Sequence, residues 1–224
     1  MTGLAQKTNK NQAKVNMISQ QIRTNGVESD ELLALLAEIP REIFVPMEYG
    51  DLAYSDTQLP IGHRQTMLTP MMEAQILQHL NLSKNDTVLE VGTGSGYLTA
   101  LLARLSRFVY SVDKYSEFSH NAAKKLAQLK INNVLLETGN AAEGWLLHEP
   151  YDAIVMTGSL PVLKPRLLQQ LAIGGRLFVV VGKPPCQKAL LIVRVANNEW
   201  REQILFETVI PPLEDVVVEE QFVF

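Results

Sequence analysis

The densest chemical signal in the chain is nine residues long. Leu89 to Tyr97 read LEVGTGSGY, with Gly92, Gly94 and Gly96 on alternate positions and Glu90 two residues ahead of the first. A glycine turn between a strand and a helix lets backbone approach a ligand closely and presents the free N–H groups of a helix start. Thr93 and Ser95 fill the alternate places of that turn. Asp113 closes the next apolar run, with Lys114 beside it. An acid there can accept both hydroxyls of a ribose, each charge-assisted bond being worth roughly 1.5–3 kcal/mol. After a third apolar run comes GNAAEGW (139–145), where Asn140 can bond an adenine amino group and the amide of Ala141 a ring nitrogen. Each mark alone has a plain structural reading: a junction, a solvated strand end, a turn residue. Three of them after three successive strand candidates point to a nucleoside.

Other chemistries are thinly represented. Cys186 is the single cysteine and the four histidines are scattered without metal-ligand spacing, so neither a disulfide nor a metal is expected. His63 reads as a surface loop residue, and Met67, Met71 and Met72 as packing.

The elements that must position these groups follow from periodicity. DTVLEV (86–91), FVYSVD (108–113), NVLLET (133–138), YDAIVMT (151–157) and RLFVVVG (176–182) read as strands, and YLTALLARLS (97–106) and EFSHNAAKKLAQLK (117–130) as helices between them. Residues 161–175 contain a helix that Gly174–Gly175 should stop. Continuous apolar runs imply strands covered on both faces, hence a doubly wound, mostly parallel α/β sheet. KALLIVRVA (188–196) and REQILFETVI (201–210), joined at NNEW, predict an antiparallel hairpin at its edge. Residues 1–80 form a separate helical extension ahead of a core over 81–224, the two making one compact unit. In it QAKVNMISQQIRTNGV and SDELLALLAEIPR are helical, with Ser29 an N-cap and Pro40 a stop. A Pro-, Gly- and Tyr-rich stretch follows with no sustained period, and long irregular stretches in compact proteins are more often functional than idle. The final VVVEEQFVF is expected to pack as an edge strand.

Glycine spacing separates two ligand classes. Dinucleotide enzymes use G-x-G-x-x-G, whose third glycine falls one residue later than Gly96. The E-x-G-x-G-x-G form found here is that of the nucleotide loop in S-adenosylmethionine-dependent methyltransferases. S-adenosylmethionine is therefore the expected cofactor, with a nicotinamide or flavin nucleotide as the alternative.

The segment before the sheet narrows this further. AYSDTQLPIGHRQTMLTP (53–70) followed by VLEVGTGSGYLTALLARL resembles the protein-L-isoaspartate O-methyltransferase family, in which AY-x-D-x-x-LPIG-x-GQTIS-x-P precedes VLEIGTGSGYQ-A-x-LA. The resemblance runs from IPREIFVP (39–46) through YSVDK, NNVLLETGNAAEGW and PYDAIVMTG to IPPL (210–213). It implies a Rossmann-like class I methyltransferase that methylates the carboxylate of L-isoaspartyl residues. It also implies that Glu90, Gly92, Thr93, Gly94, Ser95, Gly96, Asp113, Lys114, Asn140 and Ala141 hold the cofactor. Leu59, Pro60, Ile61, Gly62, Gln65 and Thr66 fall on the segment that closes over the cofactor and receives the substrate carboxylate.

Three positions depart from the family pattern. Its serine is Leu68 here, the glycine before Gln65 is Arg64, and the aspartate after the third strand is Asn140. A serine hydroxyl can orient the accepting carboxylate and leucine cannot, a loss on the order of 1–3 kcal/mol. Thr66 and Thr69 are candidate stand-ins, and Arg64 a candidate attractor for the carboxylate. The departures keep two alternatives open: another methyl acceptor, or cofactor binding without isoaspartyl activity. A carboxylate is already ionised at neutral pH, so methyl transfer to it needs no general base.

The whole chain is consistent with this. Of its 224 residues 46% are hydrophobic and 20% charged, and the net charge of −4 gives no reason to expect nucleic acid as partner. The polar N-terminus lacks a signal-peptide core, and the longest apolar runs cannot span a bilayer. Base-methylating enzymes carry an N/D-P-P-aromatic motif after the fourth strand, where this chain has VMTGSLPVL. A cytoplasmic enzyme acting on protein or peptide, monomeric or a small homo-oligomer and away from membranes, is the expectation.

Overall fold

The computed structural model describes residues 10–214 and 216. Helix α1 (10–16) runs on into a π-wound Met17–Ile22 and a 3-10 turn Arg23–Asn25, closed by Gly26 at φ 91°. Helix α2 (Asp30–Glu38) starts where expected, the Ser29 hydroxyl accepting from the Leu32 amide at 3.3 Å. The stretch that looked irregular contains two 3-10 turns, Arg41–Ile43 and Met47–Leu52, and a small hairpin of β1 (Leu59–Gly62) and β2 (Gln65–Met67). Helix α3 (Pro70–Leu80) has Pro70 at its first position and leads into the sheet.

Seven strands form that sheet: β3 (Thr87–Val91), β4 (Phe108–Asp113), β5 (Val134–Thr138), β6 (Tyr151–Met156), β7 (Leu171–Lys183), β8 (Cys186–Ala196) and β9 (Glu199–Thr208). Their order is β5-β4-β3-β6-β7-β8-β9. Pairs among β3 to β7 are parallel, and β8 and β9 are added antiparallel at one edge. Helices α4 (Tyr97–Leu105), α5 (Ser116–Gln128) and α6 (Pro165–Gln169) complete the chain. Successive residues of a strand enter opposite cores. Val88 joins Leu101, Leu102 and Phe178 on one face, while Leu89 joins Ile154, Leu167 and Leu177 on the other. That two-sided burial is why the strands read as continuous apolar runs.

One element departs from expectation. Gly174 and Gly175 do not stop a helix; α6 ends five residues earlier and both glycines lie inside β7. The register between β6 and β7 shifts there, Tyr151 pairing with Leu171 and Ala153 with Arg176. Gly174 sits at φ 82°, so the pair forms a bulge that carries the extra residues. The expected edge strand after Val216 lies outside the described residues.

From β3 the chain builds outward to β4 and β5 on one side and to β6 and β7 on the other. The crevice beyond the carboxyl ends of β3 and β6 is the topological switch point, where doubly wound sheets bind ligands.

Candidate active site

The glycine turn stands at that crevice. Gly92, Gly94 and Gly96 take φ values of 97°, 50° and 85°, a region that side chains rarely adopt. A Cβ on Gly92 would meet Thr157 Oγ1 at 2.1 Å, and one on Gly96 would meet Ala122 Cβ of α5 at 2.7 Å. The first glycine thus lets Thr157 close against the turn, and the third lets α5 pack against it. Gly96 itself lies away from the crevice.

Around the turn is a cleft of about 730 Å³, part of it open to solvent. Among the expected residues, Ile61, Gln65, Thr66, Leu68, Gly92, Gly94, Asp113, Lys114, Asn140 and Ala141 line it. Cofactor and acceptor candidates more than 70 residues apart in sequence therefore share one cavity. Asp113 accepts from the amides of Gly94 at 2.8 Å and Tyr115 at 2.9 Å, which fixes the carboxylate across the turn. Burial pushes its carboxyl above the usual range, opposed by those N–H groups and that of Thr93. Asn140 turns its own backbone, Oδ1 accepting from the Ala142 amide at 3.0 Å.

Glu90 has a different place. It is fully buried beneath the turn, accepting from Thr99 at 2.5 Å and Ser111 at 2.6 Å through Oε2. Oε1 has no partner among the described residues. Burial pushes its carboxyl up to about 8, the two hydroxyls opposing. Thr93 joins this layer, its hydroxyl 2.6 Å from that of Ser111. Glu90, Thr93 and Ser95 line a smaller cavity under the cleft, together with Leu68 and Thr157.

The acceptor segment is the β1–β2 hairpin and the residues after it. His63 and Arg64 form its two-residue turn at φ 49° and 59°. Arg64 is exposed and outside the cleft lining, and Pro60 and Gly62 are likewise exposed, while Leu59 is buried in the core. His63 is held by Glu117 at 3.0 Å and by stacking on Tyr115, with ring centroids 4.1 Å apart. Thr66 donates to Gln58 Oε1 at 3.2 Å. Thr69 is not brought to the cleft; its hydroxyl caps α3 by accepting from the Met72 amide at 3.2 Å. Leu68 is 7% exposed and lines the cleft. Its carbonyl accepts from Arg41 Nη2 at 2.6 Å, while Nη1 of the same buried guanidinium pairs with Glu73 of α3. Burial pushes the Glu73 carboxyl up and Arg41 pulls it back.

Several lining residues were not singled out from sequence. Thr157 directly follows β6 and its hydroxyl donates to the carbonyls of Val91 at 2.9 Å and Gly92 at 2.8 Å. Its place at the end of the fourth parallel strand is a signal that could have found it. Tyr115 and Phe118 follow Asp113 directly. Pro211, Leu213 and Glu214 arrive from the far end of the chain; the first two lie in the IPPL segment of the resemblance without having been given a site role, and nothing local marks Glu214. Among the described residues no group of three His, Cys, Asp or Glu could hold a metal, and no helix is long and apolar enough to cross a membrane.

Comparison with known proteins gives the family and the fold. Residues 11–217 match the family model described as protein-L-isoaspartate(D-aspartate) O-methyltransferase (PCMT). A protein-L-isoaspartate O-methyltransferase 2 of Pelobacter propionicus is 40% identical over 190 residues, covering 84% of each chain. A protein-L-isoaspartate O-methyltransferase of Syntrophus aciditrophicus is 38% identical, covering 86% of this chain and 89% of that one. Among solved structures, a Plasmodium falciparum protein crystallised with S-adenosyl-L-homocysteine superposes with a TM-score of 0.74 at 21% identity, covering 89% of this chain and 97% of that one. That last likeness concerns the fold.

Proposed function

The chain belongs to the protein-L-isoaspartate(D-aspartate) O-methyltransferase family, and on that premise we propose that it methylates the free carboxylate of L-isoaspartyl residues in damaged proteins, with S-adenosylmethionine as donor. The observation that carries this is the shared cleft: glycine turn, Asp113 and Asn140 on one wall, and Ile61, Gln65, Thr66 and Leu68 on the other. The residues present fit the donor. Gly92 and Gly94 line the cleft with bare backbone, at positive φ where a side chain would be strained. The Asp113 carboxylate, with about four acceptor positions, takes the amides of Gly94 and Tyr115 and that of Thr93, and keeps capacity for a ribose hydroxyl. Asn140 and Ala141 stand at the adenine end. When bound, the donor supplies a methyl group on a sulfonium sulfur.

The chain's own work is alignment and the exclusion of water. An ionised carboxylate is already a nucleophile, so no proton has to be moved before it attacks. The rate then rests on holding it in line and stripping its hydration. Ile61, Leu68, Phe118 and Leu213 give the cleft apolar walls for this, and Thr66 and Gln65 supply polar ones. Asp113→Ala is expected to weaken S-adenosylhomocysteine binding about tenfold or more; calorimetry showing unchanged affinity would remove the ribose role.

The reaction is tested by methyl transfer from labelled donor to an isoaspartyl peptide beside its normal-aspartyl twin. Label entering only the former is expected. Binding of the donor with no transfer to either peptide would overturn the choice of acceptor. A second reading has its own observation: where the family has a serine, the buried Leu68 side chain faces the cleft. Under that reading the acceptor is less polar than an isoaspartyl carboxylate.

A further inference from the structure

One carboxylate already sits at the mouth of this cleft. Glu214 accepts from Gln65 Nε2 at 3.1 Å through Oε1, and from Lys114 Nζ at 3.0 Å and the Tyr115 hydroxyl at 2.5 Å through Oε2. The three donors come from two elements, Gln65 from β2 and the other two from the turn after β4. Tyr115 is set in place by its stack on His63 and by the edge of Phe118, whose ring centroid is 5.6 Å away.

The segment that carries Glu214 is tied to the opposite rim. Leu213 N donates to the Ser159 carbonyl at 3.0 Å, Ser159 N to the Pro211 carbonyl at 2.9 Å, and Ile210 N to Gln187 Oε1 at 2.8 Å. Leu213 also packs on Gly158, where a Cβ would meet it at 2.9 Å. The segment is thus anchored beyond β6, and the Glu214 side chain, one-third exposed (34%), reaches across the mouth. Gln65 lies on the acceptor wall, so the chain's own acid occupies donors that face the place where a substrate arrives.

We propose that Gln65, Lys114 and Tyr115 form a carboxylate-binding subsite at the mouth of the cleft, filled by Glu214 in the free protein and contested by a carboxylate of the incoming polypeptide. The identity of that ligand rests on the function proposed above, whereas the subsite rests on the three donors alone. Donors that satisfy one carboxylate with two oxygens engaged will satisfy another of the same shape. An internal occupant lowers the apparent affinity for an outside one by the fraction of time it is in place.

The subsite is tested with acetate against chloride at constant ionic strength, read as the melting temperature of wild type and Glu214→Ala. Acetate is expected to raise the melting temperature of Glu214→Ala and to leave wild type near its chloride value. Adding Lys114→Met to Glu214→Ala should abolish the rise. Equal responses of wild type and Glu214→Ala would overturn the subsite whatever the enzyme methylates. The competition is tested by binding an isoaspartyl peptide to both proteins loaded with S-adenosylhomocysteine. A Kd about five- to tenfold lower for Glu214→Ala is expected, and an unchanged or higher Kd would overturn the competition. Acetate protection of Glu214→Ala with no peptide bound by either protein would support the subsite and overturn the isoaspartyl reading.

Discussion

At the scale of single residues, Leu68 is the one of the three departures from the family pattern that lies on the acceptor side of the cleft. Its carbonyl is fixed by Arg41, and its side chain lines both the cleft and the cavity beneath. A serine there would inherit a backbone already held in place and would turn its hydroxyl toward the cleft. Leu68→Ser is therefore expected to raise kcat/KM for an isoaspartyl peptide about tenfold to a hundredfold, the rate equivalent of one hydrogen bond to an ionised partner. A steady-state comparison checks it; no gain would mean that another group already orients the acceptor. Glu90 yields a pH dependence. Its carboxyl is pushed up from the ordinary 4.5 to about 8, so between those values the folded chain holds a proton that the unfolded chain has released. Stability must then fall as pH rises through that window, by about 1.4 kcal/mol for each pH unit at most. Glutamine mimics the protonated form, so Glu90→Gln should flatten the decline. Urea unfolding of both proteins at pH 5 and pH 8 measures it, and parallel declines would refute the assignment.

At the scale of elements, the cap on α3 separates structure from substrate contact. Thr69 Oγ1 is spent on the Met72 amide, away from the cleft lining. Thr69→Ala should cost about 1 kcal/mol of stability and leave the KM for peptide unchanged. Denaturant midpoints and steady-state kinetics together decide this, and a raised KM with unaltered stability would restore Thr69 to the acceptor site. The same neighbourhood shows where reading a sequence stops. The inner parallel strands were legible because they are buried on both faces and so appear as unbroken apolar runs, whereas the edge strand β5, with no buried residue, showed only in its shorter VLL run. The β1–β2 hairpin was not, because its turn residues are His63 and Arg64, both at positive φ, in place of the Asn-Gly or Asp-Gly pair that usually marks such a turn. Arg64 stands where the family has a glycine, the residue that adopts φ 59° without a steric penalty. Gly174–Gly175 misled in the opposite sense: glycine serves a helix stop and a strand bulge equally well, and only pairing with β6 distinguishes them.

At the scale of the whole molecule, the site is assembled from both ends of the chain. The glycine turn, Asp113 and Asn140 were legible because each follows its own strand at a fixed offset. Glu214 was not, because its relation to Gln65 exists only once the sheet has folded. The helical extension is bound into the same architecture. Met17, Ile22, Leu36, Ile39 and Phe44 belong to one continuous core with Leu101, Leu102, Val109 and Phe178, and Arg41 of the extension is buried on Tyr97 of α4, 4.8 Å from its ring centre. Removing either part would strip an apolar face from the other, so the extension and the sheet should unfold together. The two tryptophans provide the means to check this. Trp145 and Trp200 both pack on the opposite side of the sheet, against the core that holds Leu89 and Ile154, far from the extension. Their fluorescence reports that side, while far-UV circular dichroism at 222 nm is weighted toward helices α1 to α5 on the extension's side. Coincident midpoints in urea are the expected result. A dichroism transition that precedes the fluorescence one would mean that the extension melts from a sheet that survives it, and the acceptor wall would then be a separately folding lid over the cofactor half.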